Sequence, residues 1–254
     1  MTIEDVELQP AAAAAPTPGG TGRAWLIGLG VTLAVLSVAF GALDVAGTLA
    51  RQTLHRSAAY ANVRAVDVEV GDEAVAVVSS SGNEVLLSRS VSYSLGRPHL
   101  SEKVEGDTLV VRSSCPVPFG RGCSGTLRLA VPASTRVRVH SSATSVRVSD
   151  LDGVLDLSSS AGSVVGTGLR SATVTADSSA GSVRLTFASA PSAVTATSSA
   201  GSVGVVVPRD DEGYRVDAGS SAGSTHVTVR TDSASSRRIR AHSSAGSVSV
   251  TYGS

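Results

Sequence analysis

The chain has 254 residues, with 21 basic and 21 acidic side chains and only 3% aromatics. Neutrality argues against a nucleic-acid partner, because no basic stripe supplies phosphate contacts. The shortage of aromatics excludes a core of stacked large rings, so burial has to come from valine, leucine and alanine on thin, closely packed strands.

Residues 1–22 end in Ala-Ala-Pro-Thr-Pro-Gly-Gly-Thr-Gly and read as a disordered polar tail. From Ala24 to Leu43 the chain carries no charge. Its apolar length suits a membrane-spanning helix over residues 23–45, with Trp25 and Arg23 at one end, where an interfacial ring and a snorkelling cation belong. A cleavable signal peptide is the alternative. Against it stand an apolar run longer than the roughly 7–15 residues of a signal core and an acidic start at Glu4, Asp5 and Glu7. Arg51 and Arg56 beyond the helix favour one orientation; the long C-terminal part and its cysteines favour the other, with the tail in the cytosol. We take the second, which places the protein in the cell membrane as a single-pass chain with an extracytoplasmic C-terminal domain. Residues 46–62 are expected to be a juxtamembrane linker that extends the helix for a turn or two.

Strand signals begin at Val63. Val66, Val68 and Val70 alternate with charged neighbours, then Val75 and Val77; Val85–Leu95, Asp107–Arg112 and Leu127, Leu129 and Val131 follow. Gly71-Asp72, Ser81-Gly82-Asn83 and Gly106-Asp107 punctuate them as turns. Residues 63–135 are therefore irregular β coils. Cys115 and Cys123, the only cysteines, flank a loop that can close on itself. In an exported domain the simplest reading is one disulfide, with two free buried thiols as the alternative.

From residue 136 onward the chain repeats. Ser-Ser-Ala-Thr-Ser-Val begins at Ser141, and Ser-Ser-Ala-Gly-Ser follows at Ser159, Ser178, Ser198, Ser220 and Ser243. Successive copies start 18 to 23 residues apart, the period of a solenoid. An alternating pair precedes each phrase, such as Val174 and Ala176, and another run usually follows, such as Val183, Leu185 and Phe187. The two are out of phase. Gly162, Gly181, Gly201, Gly223 and Gly246 sit at the flip, and positive φ is expected of them there. The expected fold is thus all-β: a parallel β-solenoid ectodomain over residues 63–254, regular from 136, preceded by one transmembrane helix. Length variation and charge collect in the connectors after the second strand. Arg209, Asp210, Asp211, Glu212, Arg237 and Arg238 are the candidate interaction residues, with solvated loop tips as the alternative.

Catalytic signatures are missing. No Gly-x-Ser-x-Gly elbow frames the serines, and no lysine or helix follows the glycines. The aspartates at 150 and 152 lack the spacing of a calcium β-roll, so no catalytic, metal or cofactor residue is assigned. The motifs Glu105-Gly106-Asp107-Thr108-Leu109, Ser114-Cys115, Cys123, Val131-Pro132-Ala133-Ser134-Thr135 and Asp150-Leu151-Asp152-Gly153, ahead of the Ser-Ser-Ala-Gly-Ser copies, resemble the DUF4097 putative-adhesin family of bacterial, actinobacterial-type envelope proteins. That resemblance spans about residues 60–254. It implies a β-solenoid ectodomain and carries no catalytic residue across.

The expected role is non-catalytic: a membrane-anchored, adhesin-like surface protein or envelope scaffold, with an unknown envelope partner. Two alternatives are weighed, an envelope-state sensor that regulates another membrane protein and a carbohydrate-active enzyme. The final strand signal, Val248–Tyr252, is expected to be an open edge through which the chain could self-associate.

Overall fold

A computed structural model describes residues 52–94, 96–116 and 123–253. The expected tail and membrane helix lie outside the described residues. Among the described residues no helix is long and apolar enough to cross a membrane.

Alternating side chains give most strands one apolar face. Two sheets turn those faces toward each other, and the residues between them form one continuous core. From residue 136 each coil gives one strand to each sheet. The coils are β8 (Arg136–Ser141) with β9 (Val146–Ser149), β10 (Leu155–Ser159) with β11 (Val164–Leu169), and β12 (Thr173–Ser178) with β13 (Val183–Phe187). Then come β14 (Ala193–Ser198) with β15 (Val203–Val207), β16 (Arg215–Ala222) with β17 (Thr225–Val227), and β18 (Arg238–Ala245) with β19 (Val248–Tyr252). All neighbours here are parallel, and Val174 lies opposite both Leu155 and Val194. The expected solenoid stacking is therefore present.

The coil order departs from chain order. Strand β18 lies between β14 and β16, and β19 between β15 and β17. The sixth coil is inserted between the fourth and the fifth. Val248–Tyr252 is thus an interior strand, which corrects the expected C-terminal edge; the exposed end is formed by β16 and β17. The core explains the exchange. In the strands of the sixth coil Ile239, Ala241, Val248 and Val250 are fully buried, whereas those of the fifth offer only the half-buried Val216 and Ala218 and the exposed Thr225 and Val227. The better apolar coil occupies the two-sided position.

The first part is not a run of coils. Strand β1 (Gln52–Tyr60) pairs antiparallel with β4 (Val85–Tyr93), and β4 with β7 (Cys123–Pro132). Strand β7 runs parallel to β3 (Glu73–Ser80), which joins the repeats at β9. In the other sheet a hairpin of β5 (His99–Glu105) and β6 (Thr108–Ser114) adds to β2 (Ala65–Val70), which joins β8. Gly106 turns that hairpin at φ 66°. Gly71-Asp72 instead carries the chain from one sheet to the other, with Val70 and Gly71 carbonyls accepting from Ser142 and Ala143 N–H.

Strand β1 corrects, over Gln52–Tyr60, the linker expected over residues 46–62, whose first six residues lie outside the described residues. Its inward positions are Leu54, Arg56, Ala58 and Tyr60, opposite Val91, Arg89, Leu87 and Val85. The arginine broke the apolar alternation in the sequence; in the fold, Glu102 neutralises it at 2.7 Å.

Candidate functional site

The bend between the two sheets is built by the Ser-Ser-Ala-Gly phrase. The first serine of each copy continues the inward alternation; Ser141, Ser159, Ser178, Ser198 and Ser243 are all buried. A buried hydroxyl needs partners. Ser178 Oγ accepts from Gly181 N–H at 2.8 Å and donates to the Gly162 carbonyl of the coil below at 2.9 Å. Ser198 donates to Gly181, Ser243 to Gly201 and Ser220 to Gly246 in the same way, at 2.6–2.8 Å. The ladder passes from Gly201 to Gly246 to Gly223, which retraces the exchanged order of the coils.

The repeat glycines serve this stacking rather than a left-handed bend. Positive φ occurs at Gly246 (155°) and not at Gly162, Gly181, Gly201 or Gly223, which corrects the sequence expectation. A Cβ on any of the five would strike the backbone carbonyl of the adjacent coil. Thr144 replaces glycine in the first copy, where its hydroxyl donates to the Glu73 carbonyl.

Charged connectors come together where the chain crosses to the outer coil. Arg237 pairs with Asp210 and, at 3.4 Å, with Glu212. Arg230 Nη1 donates to the Asp211 carbonyl at 2.9 Å, and the Arg209 guanidinium stacks over the Tyr252 ring at 4.9 Å. Arg238 leads into β18, its N–H bonded to the Ser192 carbonyl. Tyr214 is fully buried under this crossing and donates to the Pro208 carbonyl at 3.1 Å. Burial, with Asp210 nearby, pushes its phenol up to about 12. Arg237 and Asp210 thus have internal partners, while the side chains of Arg209, Asp211, Glu212 and Arg238 remain exposed.

Sequence reasoning missed a buried charge cluster at the other end. Arg89 takes an inward position of β4 and is 2% exposed. It pairs with Glu73 at 2.8 Å and Glu102 at 3.3 Å; Glu102 also holds Arg56 and accepts from Tyr60 Oη at 3.0 Å. Burial, then the bond to Glu102, raises the Tyr60 phenol; the same carboxylate raises Arg56. The cluster ties β1 and β4 of one sheet to β5 of the other. Cys115 and Cys123 are joined, as expected, and fasten the end of β6 to the start of β7.

Nucleophile chemistry finds no support in these contacts. His140 Nδ1 lies 2.9 Å from Ser158 Oγ, but that hydroxyl also reaches the Val139 carbonyl at 3.3 Å. His242 Nε2 meets Asp217 at 3.1 Å, which holds that carboxyl below its ordinary value. Beyond the other ring nitrogen, Nδ1, lies Gly219, which has no side chain. Among the described residues no group of three or more His, Cys, Asp or Glu is arranged to hold a metal.

A family model described as Toastrack DUF4097 matches residues 36–252, so the chain belongs to that family. Its fold is similar to two solved structures. One is a "putative cell adhesion protein" from Clostridium sporogenes: 10% identity, 80% of this chain and 100% of that one covered, TM-score 0.45. The other is a "putative adhesin" from Bacteroides fragilis: 13% identity, 80% and 97% covered, TM-score 0.41. No curated protein matches the sequence.

Proposed function

We propose that the protein is a non-catalytic, adhesin-like module of the cell envelope, held by a single membrane span with the solenoid outside. The observation that carries this reading is the ladder: the repeated serines and glycines, the only abundant candidate nucleophiles and turn elements, are used to stack coils. The Cys115–Cys123 bond supports an oxidising location. The exposed charges Arg209, Asp211, Glu212 and Arg238 supply a candidate contact surface, and the open β16–β17 edge is the strand pair available to a second copy.

Protease added to intact protoplasts tests the location. The domain should be removed and residues 1–22 protected; protection of the repeats overturns it. Retention of the full chain by envelope material tests the role. Neutralising Arg209, Asp211 and Arg238 should weaken retention, and more so at low salt. Unchanged retention with an intact fold overturns that surface.

A further inference from the structure

The two outer faces of the solenoid carry charge differently. On the nine-stranded sheet, acids and bases are interleaved and paired: Arg112 with Glu69, Arg138 with Asp156, and Arg240 and His242 with Asp217. On the ten-stranded sheet, the outward residues of the described strands include arginines and histidines and no acid. Register aligns three of the cations. Arg128 lies beside Ala76, Ala76 beside Arg147, Arg147 beside Val165 and Val165 beside Arg184. The arginines thus recur on every second strand, at about 10 Å spacing. All three are exposed, and none has a carboxylate partner among the described residues.

The same face carries an apolar trough at the end where the described chain begins. Val78 (43% exposed) and Leu86 (49% exposed) line it with Ala59 and Ala130, in register across β1, β4, β7 and β3, and its volume is 610 Å³. Eight residues separate the uncharged Ala24–Leu43 segment from Gln52, the first residue of β1. A soluble polyanion would satisfy the cations and leave the trough in water. A bilayer with anionic headgroups satisfies both.

We propose that the outer face of the ten-stranded sheet docks on an anionic lipid bilayer, with Arg128, Arg147 and Arg184 on headgroup phosphates and the Val78–Leu86 trough against the acyl boundary. This goes beyond the adhesive role and rests on membrane anchoring only for the nearness of the bilayer. Failure of anchoring is seen separately, as failure of the full chain to float with vesicles of neutral phosphatidylcholine, on which the arginine face is not expected to dock.

The test uses the full chain in nanodiscs containing bromolipid. A fluorophore is attached at Thr186→Cys on the proposed face or at Thr195→Cys on the opposite one. In discs rich in phosphatidylglycerol the first label should be quenched and the second not. Quenching should fall in phosphatidylcholine discs and in Arg128→Gln/Arg147→Gln/Arg184→Gln. Each arginine near an anionic surface is worth roughly a five-fold change in partition, so the triple variant should shift the docked fraction about 100-fold. Unchanged circular dichroism of that variant confirms its fold. Equal quenching of both labels, indifference to the three arginines, or indifference to lipid charge each overturns the proposal. So does inorganic polyphosphate binding to the face while the first label stays unquenched in anionic discs.

Discussion

The Gly181 carbonyl accepts the Ser198 hydroxyl at 2.8 Å and lies where a Cβ on Gly201 would have to go. One carbonyl therefore enforces two residues of the next coil, a donor three positions before a glycine. That reciprocal demand, repeated coil after coil, is the physical content of Ser-Ser-Ala-Gly.

Gly181→Ala should be destabilising by about 1–3 kcal/mol, because the methyl is forced against a hydrogen-bonded backbone that cannot retreat without breaking its ladder. Ser198→Ala removes the hydroxyl and should cost about 1–2 kcal/mol. Urea denaturation of each variant measures both. A neutral Gly181→Ala would mean that the coils are looser than these contacts imply.

Much of this was legible in the sequence, and the exceptions have causes. The strands of the repeats, their inward pairs and the parallel stacking follow from a strict period of two and a recurring phrase. The reason for the glycines did not, since positive φ and close backbone approach select the same residue. Strands β1 and β5 were hidden because Arg56 and Glu102 occupy inward or near-inward positions and satisfy each other only across the two sheets. The three arginines of the outer face escaped notice because a net charge of zero hides segregation between two faces. Coil order is a property of relative burial among repeats, which spacing alone does not encode.

The buried cluster gives an asymmetric prediction. Arg89→Ala leaves Glu73 and Glu102 facing the core without their shared cation and should cost about 3–5 kcal/mol. Replacing Arg89, Glu73 and Glu102 together with apolar residues of similar volume should cost far less, because no buried charge is left uncompensated and Arg56, the other partner of Glu102, is exposed to water. Denaturation midpoints of the single and triple variants decide it; equal losses would show that the charges themselves, not their balance, hold the two sheets.

Tyr214 sets an alkaline limit. Its pKa is raised to about 12 from an ordinary value of 10.0, so the folded state favours the neutral phenol. Its stabilising contribution is complete below pH 10 and is lost as pH rises from the unfolded value toward the folded one. Melting temperature should decline over that window in the native chain. In Tyr214→Phe the decline should be smaller, from a starting point lowered by loss of the bond to Pro208. Identical alkaline slopes would exclude Tyr214 as their source.

The disulfide should matter modestly. The loop closed by Cys115 and Cys123 spans a sequence separation of 8, for which chain entropy predicts about 2–3 kcal/mol. Cys115→Ala/Cys123→Ala should fold with a lower midpoint, and non-reducing mass spectrometry of the native chain should find no free thiol. Alkylation of both sulfurs without reductant would exclude the bond.

The exchange of the last two coils is the least expected feature and the most directly testable. Ala245 N–H donates to the Ser199 carbonyl at 3.0 Å, and Ser198 lies opposite Ser243, so Ser199 and Ser244 occupy the same rung on adjacent coils. Parallel neighbours stand about 4.8 Å apart, within the Cα separation that a disulfide bridges. Ser199→Cys/Ser244→Cys should therefore cross-link readily under mild oxidation. Ser199→Cys/Ser221→Cys should not, because in the exchanged order residue 221 is two coils away, across β18. Stacking in chain order would reverse the two results. Arg237 adds a second reading of the same arrangement, since it pairs with both Asp210 and Glu212 where the chain passes over the inserted coil. Arg237→Gln should leave the first four coils untouched and speed hydrogen exchange in β16 and β17, which have no outer neighbour among the described residues to protect them. If the 199–221 pair cross-links instead, the fifth coil stacks on the fourth, and Val248–Tyr252 returns to the open edge.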